Sequence, residues 1–381
     1  MTGAATRMTR PASTMFERLL RWRNRLISNS RFQRWAAGFP LTRHVAQKNA
    51  RSLFDLCAGF VYSQTLLAAK RFGLFSLLAE RARTPFEIAS RNGLDIDACE
   101  TLLRAGASLR LFERLPDGRY ALGELGAALL GNPGVLDMIE HHDALYADLA
   151  DPVALLSDRT RPTRLSAFWG YAAARDPESL GPSDVDPYSR LMASSQSLVS
   201  EDILEAFPFV KTRKLLDVGG GAGAFAVAAL RKYPALAATV FDLPAVAALA
   251  QARFAREGFA PRATIVSGDF HKGALPRGAD VVSLVRVLHD HDDDKARALI
   301  RRAYDALEDG GTLLVAEPMA GAPGAEAMGE AYFGFYLFAM GSGRPRRAED
   351  IIRFAREAGF RSTQVLRTRR PLLVSVVVAR R

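Results

Sequence analysis

His289 follows an apolar run, Val281 to Leu288, broken by few polar residues; Asp290 comes directly after it, and an acidic helix start lies four residues on. An imidazole placed there can act as a general base, because its pKa lies near the working pH. A loop histidine with no chemical role would show the same pattern. Glu317 closes a second apolar run, Thr312 to Ala316, and could hold or polarise that imidazole, or make only a salt bridge within the fold. Asp290, His291 and Asp292 to Asp294 read as a solvated helix cap, where aspartate is favoured. The six histidines and two cysteines, Cys57 and Cys99, show no ligand spacing, so no metal site is expected. Both cysteines read as buried small hydrophobes, and a pair cannot form a disulfide framework, which suits a reducing cytosol.

A second constellation is Leu215-Leu-Asp-Val-Gly-Gly-Gly-Ala-Gly223, an apolar strand handing over to a glycine turn. Gly219, Gly221 and Gly223 permit positive φ and close approach of a ligand, and the helix opening near Ala224 aims its amides at it. A plain strand-to-helix turn has the same composition. Asp242 ends the next β-branched and aromatic run roughly 20 residues later, where a carboxylate can accept from both ribose hydroxyls. Ala224 occupies the third glycine slot of the dinucleotide pattern, which disfavours NAD.

These groups need a scaffold. Strands are expected at 215–218, 239–241, 263–267, 280–285, 312–316, 363–367 and 372–379, with helical patterns between the first five. That rhythm gives an α/β, doubly wound Rossmann-like sheet with a terminal hairpin at one edge, and its ligands sit at the carboxyl ends of the strands. Those ends carry the glycine turn, Asp242, Gly268-Asp269-Phe270, Arg286 to Asp290, and Glu317. Upstream, residues 51–130 read as helices with one small hairpin around Pro116-Asp117-Gly118, and Thr84-Pro85-Phe86-Glu87 reads as a capping box. This winged-helix-like order raises DNA binding as a rival function. The helix at 98–109, however, carries Arg104 as its one interior base, so no nucleic-acid partner is expected and the module reads as a packing and dimerisation element.

The 381 residues are 49% hydrophobic and 24% charged, ordinary for a globular protein of two domains. The net charge of +10 is unevenly placed: residues 1–50 hold nine Arg and one Lys against the single acid Glu17, and the remainder is nearly neutral. Phe16, Leu19, Leu20, Leu26 and Ile27 recur at helical spacing there, with Arg18, Arg21 and Arg25 on other faces and Trp22 and Trp35 nearby. Such a helix suits an anionic membrane interface, although a solubilising tail or a helix packed on the body fits as well. No apolar stretch is expected to span a bilayer, so the protein is expected in the cytoplasm or peripheral at a membrane. In 131–200, Phe168, Trp169, Tyr171, Tyr188, Leu191 and Met192 supply large apolar side chains that read as core; the run Tyr332 to Met340 is aromatic on nearly every face and suits core, a dimer contact or a long apolar ligand.

Over residues 50–381 the chain resembles the class I S-adenosylmethionine-dependent methyltransferases of the plant-type small-molecule O-methyltransferase group, which includes hydroxyindole and caffeate enzymes. The resemblance rests on Asp217-Val-Gly-Gly-Gly-Ala-Gly, Phe241-Asp-Leu-Pro, Gly268-Asp-Phe, Val287-Leu-His-Asp, Gly310-Gly to Glu317-Pro, and Ala358-Gly-Phe. It implies S-adenosyl-L-methionine as cofactor, held by Asp217, Gly219, Gly221, Gly223, Asp242 and Leu243, with Asp269 and Phe270 flanking the adenine and Arg286 approaching the methionine carboxylate. It implies His289 as base with Glu317 beside it, and a substrate wall of Asp290, Met192, Tyr332, Phe335 and Tyr336. With the basic arm read from charge over 1–48, it implies a helical dimerisation domain over 49–195 that makes a homodimer, and a methyltransferase domain over 196–381. Where many relatives carry Gly-x-Glu-Arg-Thr, this chain has Gly343-Arg344-Pro345-Arg346-Arg347, so a carboxylate that would brace the histidine is absent and phenolic acceptors are disfavoured. Together with the basic arm over residues 1–45 and the aromatic run, this resembles the carotenoid branch of the group, with a hydroxylated carotenoid as acceptor. A chlorophyllide C-methylating relative and a phenol-methylating one are the alternatives.

Overall fold

A computed structural model describes residues 14–174 and 176–381. The chain divides into two compact units, Met1–Gly123 and Glu124–Arg381. The segment 124–195, expected with the helical domain, thus groups with the sheet.

In the first unit α1 (Met15–Ile27), α2 (Ser30–Gly38) and the 29-residue α3 (Arg43–Arg71) are followed by α4 (Leu74–Glu80), α5 (Pro85–Asn92) and α6 (Ile96–Ser108). The hairpin β1 (Phe112–Arg114) and β2 (Tyr120–Leu122) completes it. The box at Thr84 forms as its sequence dictates: Thr84 Oγ1 accepts from Glu87 N at 3.2 Å and the Glu87 carboxylate accepts from Thr84 N at 2.7 Å. On α6, Arg104 is paired with Glu100 at 3.3 Å, which further weakens the case for a phosphate-binding helix. No residue of α1 is buried: Phe16, Leu19 and Trp22 stand exposed, and Thr14 caps the helix. Residues 1–13 of the expected arm lie outside the described residues.

Two expectations are corrected here. By length and composition α3 is apolar enough to cross a membrane, contrary to the reading that no stretch reaches that length. The charged Arg51 and Asp55 near its middle hide this in a scan of the bare sequence. Cys57, expected to be buried, is exposed on the same helix, whereas Cys99 is buried.

The second unit opens with α7 (Glu124–Leu130), α8 (Pro133–Asp148), α9 (Pro152–Ser157), α10 (Arg164–Phe168), α11 (Gly170–Ala173) and α12 (Pro182–Ala206). The βα alternation follows: β3 (Lys214–Val218), α13 (Ala224–Lys232), β4 (Ala237–Asp242), α14 (Pro244–Arg256), β5 (Ala263–Ser267), β6 (Ala279–Val285), α15 (Asp293–Ala306) and β7 (Leu307–Glu317). After α16 (Phe333–Met340) and α17 (Ala348–Glu357), β8 (Ser362–Leu366) and β9 (Ser375–Arg380) close the sheet. Its order is β5-β4-β3-β6-β7-β9-β8, parallel through β7, with β9 antiparallel to both neighbours. Successive residues alternate between the two cores. Leu216, Val282 and Leu313 pack with α15 and α17, while Leu215, Val281 and Leu314 pack with α12, α13 and α14. The order reverses between β3 and β6, so a crevice must form beyond their carboxyl ends.

Candidate active site

A cavity of about 400 Å³ lies at that switch point. Its floor is the turn after β3. Gly219 has φ 66°, and a Cβ there would stand 2.8 Å from Val287 Cγ2. The turn needs glycine for both reasons. Gly221 N and Leu243 N, each at 2.8 Å, donate to the two oxygens of Asp242, leaving the remaining lone pairs for a ligand's hydroxyls. Burial pushes Asp242 up to about 6 against the pull of those two amides. Beside it, Asp217 Oδ1 accepts from Ser283 Oγ at 2.6 Å, while the buried Oδ2 has no hydrogen-bond partner. Burial raises this carboxyl to about 7, with the neighbouring Asp242 adding to the rise. A buried orphan acceptor lining a cavity requires a donor from a ligand, and a nucleoside or amino-acid ligand supplies one.

Asp269 and Phe270 also line the cavity; the Asp269 carboxylate accepts from His271 N at 2.7 Å, and Phe270 meets the rings of His271 and His291 edge-on. Arg286 is a non-glycine residue in the left-handed region, φ 59°. Its guanidinium donates to Ser195 Oγ at 2.8 Å and Gln196 Oε1 at 3.5 Å, both neutral. Burial presses its pKa down, so a ligand carboxylate in the same cavity would be held strongly.

At the other end His289 is buried. Its Nε2 lies 3.2 Å from Asp290 Oδ1, and its Nδ1 lies 3.3 Å from Glu317 Oε2 without the alignment of a hydrogen bond. The His289 amide donates to Glu317 Oε2 at 3.1 Å. Burial alone would depress the imidazole, but Asp290 and Glu317 together outweigh it and hold its pKa above the usual histidine value. Tyr171 Oη donates to Asp290 Oδ2 at 2.8 Å. The backbone around His289 is clamped from the loop after α16. Arg344 N donates to His289 O at 2.9 Å, Ser342 Oγ to Asp290 O at 2.8 Å, and the fully buried Arg346 to Leu288 O at 2.6 Å and His291 O at 2.5 Å. Arg344 and Arg346 both pair with Asp293.

Of the expected residues, Asp217, Gly219, Gly221, Asp242, Leu243, Asp269, Phe270, Arg286, His289, Asp290, Met192, Tyr332 and Tyr336 line one cavity. Three do not. Glu317 lies behind His289, fully buried. Gly223 (φ 72°) caps α13 and packs against Phe254 instead of facing a ligand. Phe335, taken as part of the substrate wall, is 37% exposed and outside the cavity. Asp290, read as a solvated cap, is instead a cavity residue whose side chain is 16% exposed, because Tyr171 and His289 enclose it. Sequence reasoning gave no catalytic or binding role to Tyr171, Ser195, Gln196 or Arg346, nor to His141 and His142 on α8; single residues at separations of 53 or more leave no spacing signal.

Residues 146–361 match the O-methyltransferase domain, and residues 54–132 match the O-methyltransferase dimerisation domain. The chain belongs to the O-methyltransferase family. It is 41% identical to demethylspheroidene O-methyltransferase of Cereibacter sphaeroides over 359 residues, 93% of each chain, and 38% identical to the Rhodobacter capsulatus protein of that name over 90% of this chain and 85% of the relative. Acetylserotonin O-methyltransferase of Rattus norvegicus is 32% identical over 84% of this chain and 75% of its own. Among solved structures, human N-acetylserotonin methyltransferase in complex with SAM superposes with a TM-score of 0.72 at 25% identity, covering 87% of this chain and 97% of that one. Every site residue expected from the sequence falls inside the O-methyltransferase domain match.

Proposed function

We propose that this O-methyltransferase transfers a methyl group from S-adenosylmethionine to the hydroxyl of an apolar alcohol, a hydroxylated carotenoid. The observation that carries the reading is a buried imidazole between two carboxylates at one end of a cavity whose other end is an orphaned nucleoside cradle; the 41% identity over 93% of the chain supports the carotenoid class. Asp217, Gly219, Gly221, Asp242, Leu243, Asp269, Phe270 and Arg286 would hold the donor, Asp242 at the ribose and Arg286 at the carboxylate. Bound there, the donor supplies an electrophilic methyl on a cationic sulfonium. Glu317 favours the Nδ1–H tautomer of His289, which leaves Nε2 as the proton acceptor. The acceptor hydroxyl would take the place of Asp290 at Nε2 and give its proton to that nitrogen as its oxygen bonds to the methyl and the methyl–sulfur bond breaks, leaving the donor a neutral thioether, while Asp290 and Glu317 steady the resulting imidazolium. An aliphatic alcohol ionises only as the bond forms, so holding it in line provides most of the acceleration. Incubation with methyl-labelled S-adenosylmethionine and a hydroxylated carotenoid should place label on the carotenoid oxygen; label that never leaves the donor would overturn the reading.

The sign of the pH dependence follows from His289. Its pKa is held above the ordinary value, and only the neutral form accepts a proton, so kcat/KM should fall on the acid side with a midpoint above that of a free histidine. Asp290→Asn removes one of the two upward influences, the charge beside Nε2, and should move that midpoint to lower pH. A profile unchanged by the substitution would exclude the coupling.

Two surfaces of the first unit complete the proposal. Leu53, Phe54, Leu56, Phe60 and Val61 are all more than 60% exposed on α3, inside or beside the dimerisation match, and a second copy covers them in a homodimer. α1 presents Phe16, Leu19 and Trp22 beside Arg18, Arg21 and Arg25, and docks on an anionic membrane that carries the acceptor. Changing those three arginines to glutamine should weaken cosedimentation with phosphatidylserine-containing vesicles roughly 100-fold, at about 1 kcal/mol per removed charge. Undiminished binding would remove the docking role.

A further inference from the structure

The half-buried histidines of α8 take no part in the methyl transfer, yet each meets one aromatic residue of the cavity. His141 Nε2 lies 2.6 Å from Tyr336 Oη, and His142 Nε2 lies 2.8 Å from Tyr332 Oη. The proton positions follow from the partners. Trp169 Nε1, 2.8 Å from Tyr336 Oη, can only donate, so Tyr336 accepts from it and gives its own proton to His141. A neutral His142 that carries its single N–H on Nδ1 leaves Nε2, 2.8 Å from Tyr332 Oη, to receive the Tyr332 proton. Burial keeps both imidazoles neutral, pressing His141 down to about 4 with the help of the adjacent His142 and opposing protonation of His142 as well. Both hydroxyl protons therefore point away from the cavity that Tyr332 and Tyr336 line. Towards the acceptor, the two phenols offer rings and no free O–H.

We propose that His141 and His142 are positioning residues for specificity: by taking the hydroxyl protons of Tyr336 and Tyr332 they convert two phenols into an apolar wall that selects a hydrocarbon acceptor. The inference rests on reading this cavity as the acceptor site. It differs from a packing role because it assigns the effect to one hydrogen bond. Without His142, the Tyr332 proton must find another acceptor, and the partner within reach is water drawn into the cavity or the ligand itself. A buried hydroxyl left without its partner carries a desolvation penalty that an apolar ligand cannot relieve.

The test uses the full chain and the neutral polyene fluorophore diphenylhexatriene, read by fluorescence titration, so it does not depend on turnover. His142→Leu should weaken probe binding about tenfold and leave the S-adenosylmethionine affinity unchanged. Adding Tyr332→Phe, which deletes the stranded hydroxyl, should restore the affinity, and His142→Gln, which keeps an acceptor, should retain it. Unchanged binding by His142→Leu, or a double variant as weak as the single one, overturns the proposal. If His142→Leu does not fold, the His142→Gln and Tyr332→Phe/His142→Leu proteins still decide it: both must bind the probe as the unmodified chain does, and weak binding by either overturns it. A protein that binds the probe with this pattern but methylates no carotenoid would instead count against the proposed function alone.

Discussion

His289→Ala is expected to lower kcat by about 10²–10⁴, the range a positioned general base contributes, while the dissociation constant for S-adenosylmethionine stays within about twofold. The split follows from geometry. His289 sits with Asp290 and Glu317, whereas the orphaned Asp217 oxygen, Asp242 and the glycine turn stand on β3 and β4. Removing the imidazole also leaves two buried carboxylates facing each other, and one of them will take up a proton. Some loss of thermal stability should accompany the variant, so cofactor affinity is the control that separates lost chemistry from lost fold. Stopped-turnover assays at saturating donor give kcat, and calorimetric titration gives the affinity. Full retained activity would remove His289 from the proton transfer.

Gly343→Ala should have the largest effect of any substitution outside the cavity. Gly343 has φ 79°, and a Cβ built there would lie 2.0 Å from His289 O and 2.5 Å from Asp290 C. Both obstacles are backbone, so no rotamer change relieves them. Left-handed strain and the forced shift together should cost about 2–5 kcal/mol. Because the shift falls on the residue that carries the base, kcat should drop by about 10², the cost of displacing a reacting group by roughly 1 Å. Gly341 provides the matched control, with φ 94° and nothing within 4 Å of its Cβ position. Gly341→Ala should show the strain alone, a smaller fall in melting temperature with kcat nearly unchanged. Equal effects of the two substitutions on kcat would show that the clamp on His289 does not matter.

The contrast between these glycines and the aromatic wall shows what the sequence could convey. The turn at 219–223 and the carboxylate at 242 were legible because a left-handed turn after an apolar strand narrows the choice of residue, and the interval between them is fixed by one βα unit. The strand set was legible for a similar reason: two-sided burial makes β3, β6 and β7 near-continuous apolar runs. Composition alone reads Asp290 as a helix cap, because a run of aspartates before a helix satisfies the capping rule; the family resemblance put it in the substrate wall, and Tyr171, 119 residues away, encloses it. Phe335 was misassigned because the run Tyr332 to Met340 is apolar on every face, so periodicity cannot choose which rings point inward. Arg346 was given no role of its own, although it is among the most buried side chains in the protein. Its partners are backbone carbonyls, which leave no trace in the sequence. The length of α3 escaped notice because two charges interrupt its apolar pattern.

The central claim is that the acceptor's hydroxyl meets His289 while its hydrocarbon lies against aromatic ring faces. A crystal structure of the protein with S-adenosylhomocysteine and a hydroxylated carotenoid tests it directly. The expected result is an acceptor oxygen within hydrogen-bond reach of His289 Nε2, Asp290 displaced from that nitrogen, and the chain running along Met192, Tyr332 and Tyr336. An acceptor oxygen held anywhere else, with His289 still closed on Asp290, would contradict it.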